Sequence, residues 1–309
     1  MKQRVYDMIV VTGPTASGKT RLAALVADFV GGEIISADSR QVYRDMNIGT
    51  GKDYSDYNIG GRIVRSHLID IVDAGYKYNV FEFQKDFLKT YNEILSRQMI
   101  PVVCGGSGMY IDSIINGYRL LEVPVNQSLR KELEGLSLDM LKARLEGYRA
   151  LHNKTDVDTV KRAVRAIEIS EYYLRNNEEP DPFPVIRPLV TAIRFDREAR
   201  RQRITMRLLS RLKEGMIDEV AALLDRGIAP ELLIYYGLEY KYITLHLTGR
   251  LSYTEMFSSL ESAIHQFAKR QMTWFRGMER RGVKINWLDG DMGVNEKVET
   301  VINLYRGVR

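Results

Sequence analysis

The chain has one cysteine, Cys104, in 309 residues. That excludes an internal disulfide framework and any cysteine-rich zinc module. Four histidines leave little material for a structural metal site. No run of about 18 or more apolar residues occurs, so no membrane-spanning helix is expected. Neither an internal repeat nor a low-complexity tract is present. Residues Met1 to Asp7 lead straight into an apolar run, which leaves no room for a cleavable signal peptide. Together these absences read as a cytoplasmic protein.

What is present is the composition of one large globular domain or two modest ones, 45% hydrophobic and 28% charged. The net charge of +5 is unevenly placed. From Arg119 to Arg187, 12 Lys and Arg face 12 Asp and Glu, whereas from Arg194 to Lys284 the balance is 17 to 11. A basic C-terminal third is weak evidence for a polyanionic partner.

Residues 13–20 read Gly13-Pro14-Thr15-Ala16-Ser17-Gly18-Lys19-Thr20, the pattern G-x-x-x-x-G-K-[ST] without mismatch. An apolar strand candidate, Met8–Val11, precedes it, and a helical pattern at Leu22, Leu25, Val26 and Phe29 follows. Glycines let the backbone N–H groups converge on anionic oxygens, and the helix N-terminus adds its dipole. Gly13, Thr15, Ala16, Ser17 and Gly18 would form the cradle. Lys19 would reach the terminal phosphate and Thr20 would sit on Mg²⁺. The motif specifies a di- or polyphosphate, without saying which one.

Short apolar runs at Met8–Val11, Glu33–Ser36, His67–Ile71 and Pro101–Cys104 alternate with helical patterns at about 20–30, 40–46 and 80–97. This alternation predicts an α/β fold with a parallel sheet, flanked by helices. Leu189–Ile193 reads as a further strand of that sheet. Between them, 118–187 reads as a helical insertion, with helices at Gln127–Glu134, Leu138–Leu151 and Thr159–Leu174 and an acid- and proline-rich loop at 176–184. Val160, Val164 and Ile167 mark its apolar stripe. Such an insertion is either a lid or partner-binding arm, or a structural layer. Residues 1–117 and 188–309 form the rest, helical after Ile193 to about 281 and closing on a strand, Lys284–Leu288, and a helix, Asn295–Tyr305.

Asp38 follows the second strand, on the rim where parallel sheets collect ligands. Its carboxylate could bind Mg²⁺, act as a general base, or cap the next helix. Arg200, Arg203, Arg207 and Arg211 share one helical face with no acid among them, which suits either a solvated face or an opposing anion. On the helix over 257–280, Lys269, Thr273, Arg276 and Arg280 form a basic series beside an apolar one.

Taken together, the Gly13–Thr20 loop, the block Ile34–Tyr43, the run Ile48–Lys52, His67–Asp70, Gly105–Tyr110, Arg162 with Arg165–Glu168, and the block Ala268–Arg276 resemble the tRNA dimethylallyltransferase (isopentenyltransferase) family, bacterial type. The resemblance covers nearly the whole chain. It implies a P-loop-type α/β core whose loop grips dimethylallyl diphosphate rather than ATP, with Mg²⁺ on Thr20. It further implies Asp38 as the base at N6 of the adenosine immediately 3′ of the anticodon, and Arg207 on the departing pyrophosphate. Ser39, Arg40, Gln41, Ser107, Arg130, Lys161, Arg162, Arg165, Lys269, Arg270 and Gln271 match tRNA-contacting segments, and 118–187 matches the arm that clasps the anticodon stem-loop. A monomer is expected. The sequence departs from the family pattern at Ser107, at Gly237-Leu238-Glu239-Tyr240-Lys241 and at Ile264-His265. Three other readings remain: a small-molecule P-loop kinase with Asp70 as its strand-end acid, a prenyltransferase acting on free adenine nucleotides, and a non-catalytic RNA-binding relative.

Overall fold

The computed structural model describes residues 5–148, 157–176 and 182–307. The apolar run at the start is β1 (Met8–Thr12), buried along its whole length, as a strand covered on both faces must be. The following loop opens α1 (Lys19–Val30), which ends where Gly31 turns left-handed with φ 65°. Then come β2 (Gly32–Ser36), a small hairpin of β3 (Asn58–Ile59) and β4 (Arg62–Ile63), and β5 (Ser66–His67). α2 (Val80–Ser96) begins with a reciprocal cap between Asn79 and Glu82. β6 (Ile100–Gly105) and α3 (Gly108–Ile115) complete this half.

Residues Tyr118–Phe183 form a compact unit of their own. It holds α4 (Gln127–Glu132), α5 (Leu138–Glu146) and α6 (Val160–Asn176). Leu129, Leu133, Leu141, Leu145, Ala163 and Ile167 make its core. The expected stripe is offset: Val160 is exposed, and Ala163 and Ala166 face inward with Ile167. The helix expected to Leu151 ends at Glu146, where Gly147 caps it, and residues 149–151 of that expected span and 177–181 of the acid- and proline-rich loop lie outside the described residues.

After it come β7 (Pro188–Arg194), α7 (Arg197–Lys213), α8 (Met216–Asp225), α9 (Pro230–Tyr235), α10 (Leu238–Leu247), α11 (Tyr253–Arg280), β8 (Ile285–Asp289) and α12 (Val294–Arg306). The main sheet has the order β5-β2-β6-β1-β7-β8, with every pair parallel. Thr12 lies opposite both Gly105 and Ala192, and Ser36 opposite Cys104. The central strands therefore end in register, and their loops open at one rim. Ile9, Val11, Leu22, Ala23, Val26, Ile34 and Val102 form the core beneath. Each large side chain buried there contributes about 1.5–3 kcal/mol.

Two expectations fail locally. Residues 40–46 are turns, not a helix. Their backbone is engaged by a neighbouring segment: Ile71 and Val72 N–H donate to Val42 O, and Arg44 N–H donates to Val72 O. The strand expected over His67–Ile71 stops at His67, because Leu68 and Asp70 adopt φ of 60° and 56°.

Candidate active site

A cavity of about 1020 Å³ opens at this rim, lined by the P-loop, Asp38 to Gln41, Gly49 to Gly51, Asp53, residues 202–214 of α7 in part, residues 234–241, and Phe267, Arg270 and Gln271 of α11. The strand-to-helix loop curls through φ of 151° at Gly13, 62° at Ala16 and 79° at Gly18. A Cβ on Gly13 would sit 3.0 Å from Ser17 Oγ and 3.1 Å from Ile193 O, so the turn admits no side chain there. Thr15 N–H is fixed by Gln271 Oε1 at 2.9 Å, while Gln271 Nε2 donates to Gly106 O at 2.8 Å. One buried amide of α11 thus ties the loop after β1 to the loop after β6.

Three donor groups in or beside the loop are left with little compensation. Ser17 Oγ is buried and makes no hydrogen bond, which in a native fold calls for an explanation. Lys19 has no ion pair among the described residues, and burial holds its pKa below the ordinary lysine value. Arg207 donates to Thr15 Oγ1 at 3.1 Å and lies 3.6 Å from Asp53. Burial and the neighbouring charge of Arg211 hold its pKa below the usual arginine range. Three cation-rich or donor groups with so little compensation make a site for an anion.

Asp38 lines the same cavity. Its Oδ1 accepts Arg40 N–H at 2.9 Å, the short loop that replaces the expected helix cap. Its other oxygen makes no hydrogen bond among the described residues. Ser107 Oγ accepts Ser39 N–H at 3.0 Å, so the loop departure at Ser107 keeps a hydroxyl at work. The Cys104 thiol beside Thr20 is pushed up to about 11 by burial and is therefore protonated near neutrality.

The structure brings Gly13, Thr15, Ala16, Ser17, Gly18, Lys19, Thr20, Asp38, Ser39, Arg40, Ser107, Arg207 and Arg270 around one rim. It gives other candidates internal work. Gln41 accepts Ser36 Oγ–H at 2.9 Å and donates to Gly51 O at 3.0 Å, both buried. Gln271 is the loop tie already described. Within the 118–183 unit, Arg130 and Arg165 both grip Glu168, Arg130 at 3.1 and 3.0 Å. Arg162 pairs with Asp158 at 2.5 Å, while Lys161 and Lys269 are exposed. Arg211 does not face an open anion site: Asp53 takes it at 2.8 and 3.1 Å. Asp53 was invisible to helical spacing because it lies 158 residues away.

Asp70 is not a strand-end metal acid. It pairs with the buried Lys52 and accepts Tyr54 O–H, and it does not line the cavity. Glu219 is a further organiser that sequence reading passed over. Its carboxylate accepts the N–H groups of Asn47, Ile48 and Gly49 at 2.7–3.0 Å and the Tyr240 hydroxyl at 2.6 Å. It shapes the 47–51 loop that carries Gly51 up to Arg207. Among the described residues no group of three His, Cys, Asp or Glu could cage a metal, and no helix is long and apolar enough to cross a membrane.

Comparison with known proteins gives a consistent result. Residues 41–278 match the model of the IPP transferase family, and residues 6–64 match that of isopentenyl transferase. The chain is 59% identical over 299 residues to tRNA dimethylallyltransferase 2 of Phocaeicola vulgatus, covering 97% of each. It is 57% identical over 298 residues to tRNA dimethylallyltransferase 1 of Porphyromonas gingivalis, covering 96% of this chain and 99% of that one. The full-length tRNA isopentenylpyrophosphate transferase of Bacillus halodurans matches with a TM-score of 0.72 at 29% identity, over 98% of this chain and 96% of that one. A eukaryotic dimethylallyltransferase acting on tRNA shares the fold, with a TM-score of 0.80 at 22% identity over 98% and 80%.

Proposed function

The chain belongs to the IPP transferase family, and from that premise we propose that it moves a dimethylallyl group from dimethylallyl diphosphate to N6 of the adenosine immediately 3′ of the anticodon in tRNA, releasing diphosphate. The observation that carries this reading is one cavity that Lys19, Arg207 and an unpartnered Ser17 hydroxyl share with the Asp38 carboxylate. Anion-binding groups and a base in one cavity suit displacement of a diphosphate by a weak nitrogen nucleophile.

In the transfer, a bond forms between N6 and C1 of the allyl group while the C1–O bond breaks. The electron pair leaves with the diphosphate, so negative charge grows next to Lys19, Arg207 and the backbone N–H groups at the start of α1. The free oxygen of Asp38 takes the N6 proton as the new bond forms. The adenine must first leave the anticodon-loop stack to enter the cavity. Oxygen donors fit a hard cation: Thr20, phosphate oxygens and water would hold Mg²⁺, which neutralises phosphate charge when bound. The kinase reading loses support because its acid, Asp70, is spent on Lys52 and Tyr54. A cytoplasmic monomer acting on tRNA is part of the proposal.

Labelled dimethylallyl diphosphate, Mg²⁺ and bulk tRNA should yield label in N6-modified adenosine. ATP turnover without tRNA and no label in RNA would overturn the reading.

A further inference from the structure

Two helices that line the cavity, α7 and α11, carry positive charge beyond it. Along α7, Arg207 and Arg203 serve the P-loop, Arg203 donating to Ala16 O at 3.1 Å. Arg200 and Arg197 lie seven and ten residues further towards the N-terminus, about 10 and 15 Å along the axis. Along α11, Gln271 is at the cavity and Arg276 lies five residues beyond, about 7.5 Å. Neither Arg197, Arg200 nor Arg276 lines the cavity.

The two helices are fastened by Thr205 Oγ1–H donating to Glu261 Oε1 at 2.5 Å. Arg203 and Gln271 meet the same loop at the adjacent residues Ala16 and Thr15, so Arg200 and Arg276, three and five residues beyond them, lie on neighbouring stretches of the two helices. Arg200 is held below its ordinary pKa by burial, and next by the charges of Arg276 and Arg197. His265 is likewise held down by burial and then by Arg201.

The nearby acids do little to compensate. Asp196 is engaged in capping Ala199 N–H at 2.8 Å, and Glu261 serves Thr205 and lies 3.9 Å from His265. Glu198 is exposed in the first turn. Among the described residues, Arg197, Arg200, Arg201 and Arg276 form no ion pair. A cluster of repelling guanidinium groups is stabilised by an external polyanion.

We propose that Arg197, Arg200, Arg201 and Arg276 form a second tRNA-binding surface that holds backbone phosphates outside the cavity. The inference rests on the transfer reading above. The partner follows from charge and continuity: the same two helices line the cavity, and an RNA whose nucleotide enters it offers a phosphate backbone to the unpaired arginines beside it. Arginine contacts to phosphate position an RNA without reading its sequence. The surface therefore sets affinity and register, not the choice of target base.

The test compares wild type, Arg200→Ala, Arg276→Ala, the double variant and Arg276→Lys. Transfer to tRNA is measured across a salt series, alongside KM for dimethylallyl diphosphate and thermal melting. The double variant should raise KM for tRNA about tenfold and reduce the log–log salt slope by about 1.4–1.8, at 0.7–0.9 per lost contact. Its kcat at saturating tRNA, KM for dimethylallyl diphosphate and melting temperature should stay as in wild type, and Arg276→Lys should keep the slope. An unchanged slope and tRNA KM in a wild-type-active background would overturn the surface. Absence of transfer by wild type would instead overturn the underlying reading.

Discussion

At the scale of single residues, the cavity works because a few groups are left incompletely satisfied. Asp38 spends one oxygen on Arg40 N–H and leaves the other without a hydrogen bond among the described residues. Asp38→Ala should lower kcat by about 10²–10⁴, the usual loss on removing a general base, with little change in diphosphate binding. Steady-state kinetics on tRNA check this, and near-wild-type turnover would remove Asp38 from the mechanism. Gly51 is the second sensitive position. Its φ is +78°, and a Cβ would lie 2.4 Å from Arg207 Nη2. Gly51→Ala should therefore displace Arg207 and slow transfer while the protein stays folded, which kinetics beside circular dichroism would read. If turnover is unchanged, Arg207 is not bound to its place on the leaving group by this contact.

At the scale of elements, the helical unit 118–183 depends on a buried carboxylate. Glu168 accepts Asn126 N–H at 2.6 Å together with the guanidinium groups of Arg130 and Arg165. Burial alone would raise its pKa, but Arg130, Arg165 and the backbone bond outweigh burial, and the group titrates below the usual glutamate range. A carboxylate lowered in this way lends stability in full above its unfolded pKa, near 4.5, and loses it as pH falls through the folded value. Arg130→Ala should cost about 1–3 kcal/mol by leaving buried acceptor capacity unmet. It should also shrink the acid-dependent part of the melting curve between pH 7 and pH 3. Wild-type melting of the variant across that range would show that Arg130 is free for RNA and not a strut of its own unit.

For the whole molecule, binding capacity is obtained at the expense of stability. Lys19 is a desolvated cation without an ion pair among the described residues, and its pKa is lowered by burial. A base whose folded pKa lies below its unfolded one destabilises the fold while charged, and stability rises as pH climbs through the folded value. Lys19→Met should therefore melt higher than wild type near neutrality. Inorganic diphosphate with Mg²⁺ should stabilise wild type, by about 2.7 kcal/mol at 100 times its Kd, and should do little for the variant. Differential scanning calorimetry with and without diphosphate reads both effects. A variant that melts lower and still responds to diphosphate would sink the assignment.

The local sequence by itself determined the parts of this protein whose physics is short-range. The phosphate loop follows from Gly13, Gly18, Lys19 and Thr20 because backbone curvature and a helix start are set within eight residues. The buried strands followed from continuous apolar runs, and the long helices from period and caps such as Asn79 with Glu82. Tertiary structure decided everything that needed a partner distant in sequence. It turned 40–46 away from helix because residues 70–72 take up its backbone groups. It spent Gln41, Gln271 and Arg130 on internal bonds, bound Arg211 to Asp53, and set Asp70 against Lys52. A spacing rule reports which side chains share a face. Only the packed chain decides whether that face meets an acid, a carbonyl or solvent, because desolvation and ion pairing depend on groups that the local sequence does not contain.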